Sequence, residues 1–284
     1  MGDLNRMASR LRLATSWHVF WAMVTKELII LTRYPVGFVA SFGQIFLMVA
    51  IFVLAGLTFS DRGATGAFGT TSGVVIYGFV IYMFMSDTLW TIGYNVRREQ
   101  VQGTLEQLYL SPASKFASLV ARVAHLVLWT GLMSLAGVLL MAAMLGTLPF
   151  GNPVFGFYLL GMTLAGTFGL GFAFAALTLY LREAAQTMAN LLQFGLLILC
   201  ANFFPFSALP PAVRAVSSVI PLAYAVDAFR STMMGYPPGF PELASIQTET
   251  IIVTLFGLLM PLAGYAFYRV AEHQARQRGT LAKY

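Results

Sequence analysis

Few residues in this chain could do chemistry, and their spacing settles much of what it can be. The 284 residues hold three histidines and one cysteine. His18, His125 and His273 have no metal-ligand spacing, so no metal site is expected. Cys200 sits inside an apolar run with no second cysteine to pair with. No G-x-S-x-G or H-E-x-x-H motif is present, so no catalytic residues are assigned. A phosphate-cradling P-loop needs Gly-Lys followed by Ser or Thr, because backbone N–H groups and the Lys must surround the phosphates. The lysines are Lys26 before Glu27, Lys115 before Phe116 and Lys283 before Tyr284, none after a glycine. On this reading the chain holds no nucleotide by a P-loop of its own. Asp87 is the one acid midway along an apolar span, where a charge costs at least ~2.5 kcal/mol and must face protein or water. Gln186, Asn190 and Gln193 form a polar stripe at helical spacing, and Asn202 follows it. Asp87, Asn190, Gln193 and Asn202 are therefore candidates for lining a substrate path, with interhelical hydrogen bonding the plainer alternative.

The elements that must position these groups are membrane helices. Hydrophobic residues make up 58% of the chain and charged residues 10%, against roughly 45–50% and about 25% in soluble domains. The pattern predicts an all-α integral membrane protein, one permease-like domain over 1–284, with six spans: Val36 to Phe59, Gly73 to Val96, Phe116 to Leu145, Phe155 to Leu181, Thr187 to Phe203 and Ile251 to Tyr268. Of the 17 Lys and Arg residues, all but Arg62, Arg214 and Arg230 fall on the side of the termini. That asymmetry places both termini in the cytoplasm of a multi-pass protein. It also explains the net charge of +6 through anionic headgroups, without nucleic acid as a partner.

No cleavable signal peptide is apparent. Residues 16–34 instead read as an amphipathic connector helix at the cytoplasmic interface: Trp17, Phe20 and Trp21 lie on one face, while Lys26 faces elsewhere and Glu27 follows it. Pro35 ends it. Before the last span, residues 204–235 break the helical pattern yet stay apolar. Pro205 follows the break, Pro211 and Pro221 open short helices, and Gly235 closes the second. Too short to cross, this stretch reads as a re-entrant or interfacial hairpin that includes Tyr224, with Asp227 and Arg230 paired locally. In the fourth span Gly161, Ala165, Gly169 and Ala173 recur every four residues and offer a smooth face for close helix packing, within the chain or across a dimer.

The remaining feature is a charged island, Arg97 to Pro112, between two apolar runs and on the cytoplasmic side. Its polar rim and the small apolar patch of Leu105, Leu108 and Tyr109 suit insertion into a partner's groove, although an interfacial loop would look similar.

The island resembles the cytoplasmic coupling segment of the membrane permeases of type 2 ATP-binding-cassette exporters. The matching residues are Arg98, Glu99, Gly103, Thr104, Leu105, Glu106 and Leu108, with Gln107 among them and Ser111 and Pro112 following. The hairpin is similar to the family's outer segment through Phe204, Pro205, Leu209, Pro210 and Pro211, then Pro221, Leu222, Tyr224, Ala225, Asp227 and Arg230. The resemblance implies a permease in the prokaryotic plasma membrane (the cell inner membrane), paired with a second copy as a homodimer. It implies separate ATPase subunits that carry ATP and Mg, contacted by the island and the amphipathic helix, with no cofactor in this chain. The Gly-Thr-Leu-Glu form is closer to the drug (multidrug efflux) and lipo-oligosaccharide branch than to polysaccharide or teichoic acid exporters. A six-span channel or ion-coupled carrier using Asp87 would share the hydropathy and charge patterns.

Overall fold

The computed structural model describes residues 65–89, 115–145, 150–181 and 184–277, together with isolated helical positions between Trp21 and Ile51. Among the described residues the structure is helical without strands: α1 (Thr65–Leu89), α2 (Lys115–Leu145), α3 (Pro153–Leu181), α4 (Ala185–Leu199), α5 (Pro211–Ser217), α6 (Pro221–Met234) and α7 (Ile246–Gln277), with a 3-10 turn at Phe206–Ala208. Of these, α3 and α7 are each long and apolar enough to cross a membrane, while α5 and α6 meet at 95° and together make a third, bent candidate. The apolar parts of α1, α2 and α4 are shorter. The six expected spans are thus represented in part. The island lies outside the described residues, as do the first span and the amphipathic helix except at isolated positions such as Trp21 and Ile51.

Packing centres on α3 and α7. Asn152 caps α3, its Oδ1 accepting from Phe155 N at 3.2 Å, and Pro153 occupies the first turn, where a missing N–H has no consequence. The two helices then approach backbone to backbone. A Cβ on Gly169 would stand 2.2 Å from the Met260 carbonyl carbon, and one on Gly264 would stand 2.0 Å from the Gly169 oxygen. The contact surrounds Pro261, inside α7, which removes the N–H that would otherwise reach the Gly257 carbonyl. Tyr158 and Thr254 join hydroxyls across the same seam at 2.8 Å.

The small-residue stripe expected on α3 is therefore only half used. Gly169 is buried in the seam, but nothing lies within 4 Å of where a Gly161 Cβ would be. Gly166, outside the stripe, faces Phe256 instead: a Cβ there would stand 2.1 Å from the ring. The seam follows a helix crossing rather than a repeat of four, since 3.6 residues per turn makes such a repeat drift around the axis.

The fifth span also ends sooner than the expected Phe203. Helix α4 stops at Leu199, and Ala201 takes a left-handed conformation with φ 47°. Ala201 N then donates to Ile198 O at 3.0 Å and Asn202 N to Leu197 O at 3.3 Å, the paired bonds that close a helix around a left-handed residue. Asn202 Nδ2 reaches Leu196 O and Leu197 O at 3.3 and 3.4 Å. Pro205, three residues on, forbids resumption of the ladder. Helix α1 presses on this break: a Cβ on Gly78 would stand 1.5 Å from Asn202 O.

Candidate functional site

Two polar regions stand out in an otherwise apolar interior. The first lies among α1, α2 and α4. Thr130 donates to Asp87 Oδ2 at 2.7 Å, so the deep acid has a hydroxyl partner across a helix interface. One residue earlier on α1, Ser86 Oγ accepts from Gln193 Nε2 at 2.7 Å, and Tyr82 Oη accepts from the same nitrogen at 2.9 Å. Asp87 and Gln193 are thus brought to one stretch of α1, and Asn190 is half-buried one turn before Gln193. Asn202 is not part of this group. It is fully buried at the end of α4, against Gly78, eight residues and ~12 Å along α1 from Ser86 at 1.5 Å per residue.

The second region is built by the chain after α4. Pro211 and Pro221 stand in the first turns of α5 and α6, and Gly235 ends α6 at φ 75°, a conformation that glycine adopts without steric penalty. Tyr236 N returns to Ser231 O at 2.9 Å, the same kind of closure as at Ala201. Tyr224 Oη donates to Ser218 O at 2.7 Å and braces the corner between α5 and α6. Pro205 precedes the 3-10 turn in an extended conformation.

At the centre is Arg230, with no solvent exposure. Its Nη1 donates to Ala201 O at 2.9 Å and Phe204 O at 3.0 Å, carbonyls just beyond the last turn of α4, the first of which also accepts from Phe204 N at 3.5 Å. Its Nη2 lies 3.5 Å from Asp227 Oδ1 and 3.8 Å from Glu242 Oε1. The guanidinium stacks over Phe206 at 5.2 Å and Phe240 at 5.9 Å, which favours arginine over the point charge of lysine. Asp227 Oδ2 accepts from Glu242 N and Leu243 N at 2.7 and 2.8 Å. Glu242 in turn accepts from Phe206 N at 3.0 Å and Ser207 N at 2.7 Å, and Arg214 Nη2 donates to its carbonyl at 3.0 Å. Glu249, in the first turn of α7 and fully buried, accepts from Ala244 N at 3.1 Å.

The expected Asp227–Arg230 pair therefore exists, but it is one edge of a larger network. Glu242 and Glu249 were not anticipated from the sequence, because they join from a Pro- and Gly-containing strap, 236–245, and from the next helix. The available signal was charge balance: two further acids follow the hairpin before the last apolar run. Together these groups tie the end of α4, the hairpin, the strap and the start of α7 into one cap. Among the described residues no group of three or more His, Cys, Asp or Glu is placed to hold a metal ion. The expected coupling residues Arg98, Glu99, Gly103, Thr104, Leu105, Glu106, Gln107 and Leu108 lie outside the described residues, as do Trp17, Phe20, Lys26 and Glu27.

What these features define is a helical membrane protein with a glycine-packed bundle and a bent apolar cap before its last helix. The sequence profile described as ABC-2 family transporter protein matches residues 62–267, and the chain belongs to that family. It is a membrane subunit of an ABC transporter, not itself catalytic, whose family implies an ABC ATPase as partner. The matched stretch includes residues 97–112 and the cap and begins after residues 16–34. No curated protein matches the chain.

Proposed function

We propose that this chain is the permease of an ATP-driven exporter that moves an amphipathic or lipid-linked substrate, such as a drug, a lipid or a lipo-oligosaccharide, out of the cytoplasm or the inner leaflet. It works as a pair of copies in the prokaryotic plasma membrane, over separate ATPase subunits that hold ATP and Mg. The observation that carries this reading is the family match over 62–267, which contains the Arg97 to Pro112 island and the cap in one continuous stretch.

The physical logic is a division of labour. The ATPases close, the island transmits that closure into the spans, and a path opens between the two permeases. The cap, built as a single tied body, sits at the outer end of that path as a re-entrant hairpin. Its buried backbone is compatible with membrane depth because Arg230 and the Schellman-type closures supply the donors that lipid cannot. Asp87 and Gln193 serve the bundle as interhelical polar contacts beside the path.

The test is hydrolysis by the purified complex of this chain and its ATPase in lipid nanodiscs, challenged with amphipathic drugs, lipids and lipo-oligosaccharides. The reading expects at least one such amphipath to stimulate hydrolysis. Stimulation by none of them, with uptake of an ion instead, would support the carrier alternative.

A further inference from the structure

The cap contains a carboxyl oxygen that the protein gives no donor. Asp227 and Glu242 stand within 4 Å of one guanidinium, Glu249 lies beside Asp227, and the donors are unequally shared among the three. Asp227 receives two backbone N–H groups and the edge of Arg230. Glu242 receives two backbone N–H groups, one on each oxygen, and lies 3.8 Å from Arg230. Glu249 receives one, from Ala244 to Oε1, and its buried Oε2 has no hydrogen-bond partner. The groups facing it are Asp227 and Arg230 from α6, with Asp227 within hydrogen-bonding reach; Glu242 of the strap lies 3.8 Å from the same Arg230 Nη2 that Asp227 faces. Two carboxylates in contact inside protein repel each other, and neither can donate. A single proton resolves both problems, because it turns the orphan acceptor into a donor and removes one of three buried negative charges.

We propose that Glu249 binds a proton and donates it in a hydrogen bond to Asp227, so that this carboxyl pair is a proton-binding latch on the strap 236–245. The assignment to Glu249 follows from the donor count, since Asp227 and Glu242 are each supplied with N–H groups suited to an anion. Glu249 lies two residues ahead of Ile251, where the last apolar run begins, at the junction of strap and helix. With the proton in place, the pair holds the amides of Glu242, Leu243 and Ala244 together across α6 and α7. Without it, two negative charges face one another beneath those same amides and the strap is released. The inference stands on the cap alone and does not depend on what the transporter carries.

Infrared spectroscopy of the purified full-length protein in nanodiscs at neutral pH tests this directly. A glutamate in water is ionised there, since its ordinary pKa is about 4.3. The expected result is a protonated carboxylic acid carbonyl band in the wild type that exchanges slowly with deuterium and disappears in Glu249→Gln. Labelling glutamate side-chain carboxyls with carbon-13 should shift that band in the wild type, which assigns it without any variant. Absence of the band, its survival in Glu249→Gln, or its insensitivity to the label would overturn the proposal. Hydrogen exchange supplies the second readout. Glu249→Gln, whose amide can donate to Asp227 and whose oxygen can accept from Ala244, should keep the amides of Glu242, Leu243 and Ala244 protected, and Glu249→Ala should lose that protection. Equal loss in both variants would mean that an anion, not a donor, is required at this position.

Discussion

The seam between α3 and α7 and the cap above it are both closely packed, yet they are held by opposite means. In the seam, glycines let two backbones touch, and the attraction is dispersion over apolar surface together with the Tyr158–Thr254 hydroxyl pair. Such an interface suits lipid surroundings, where a hydrophobic driving force between helices is missing and close approach must supply the energy. In the cap, buried charges and backbone groups partner one another, Glu249 Oε2 and Arg230 Nε apart, an arrangement whose parts are each expensive to bury alone. The seam should tolerate change of polarity poorly and the cap should tolerate loss of a partner poorly. The difference teaches what each region does: the seam keeps two helices in close contact along their length, and the cap fixes the relation of four chain segments to one another.

Removing the centre of the cap should have the largest effect. Arg230→Met leaves Asp227 and Glu242 buried without their countercharge and takes a donor from the Ala201 and Phe204 carbonyls, and should destabilise by about 3–5 kcal/mol, read as a fall in the unfolding midpoint of the purified protein. Adding Glu242→Gln to it should cost less than the sum of the two single changes, because the pair shares one interaction; strict additivity would argue against a network. Next comes the seam. Gly169→Ala and Gly264→Ala each force backbone apart and should cost about 1–3 kcal/mol, whereas Gly161→Ala, which meets open space, should be neutral or slightly stabilising through helix propensity. Equal effects at Gly161 and Gly169 would restore the repeat of four that the structure divides. Gln193→Leu, which removes the bonds to Tyr82 and Ser86, should cost only about 0.6 kcal/mol by the same measurement. Smallest of all is the expected change in export by Asp87→Asn: with Thr130 still present as a partner, rate and pH profile should hold, and a shifted pH profile would revive ion coupling through Asp87.

How much of this was legible in the sequence depended on whether a residue type announces its geometry. Pro211, Pro221 and Gly235 did so, since proline opens helices and glycine closes them, and the structure has them in those positions. Ala201 did not. It closes α4 in a left-handed conformation that costs an L-residue about 1–2 kcal/mol, and the compensation comes from Arg230, 29 residues on, which no local pattern reveals. The cap was legible only as its local pair. Glu242 reaches Asp227 across 15 residues, through a strap whose path depends on tertiary contacts rather than on any helical spacing. The glycine stripe on α3 was legible as a packing face but not in its true register, because that register is set by where α7 crosses.

The central claim is that ATP hydrolysed by another subunit moves this chain through the Arg97 to Pro112 island. The most direct test is reconstitution of the permease and its ATPase in proteoliposomes, with Glu106→Lys introduced into the island. The account predicts that substrate movement requires both subunits and ATP, and that Glu106→Lys abolishes it or weakens association with the ATPase while membrane insertion stays at the wild-type level. Transport that proceeds without the ATPase, or an unchanged rate and unchanged association in Glu106→Lys, would contradict it.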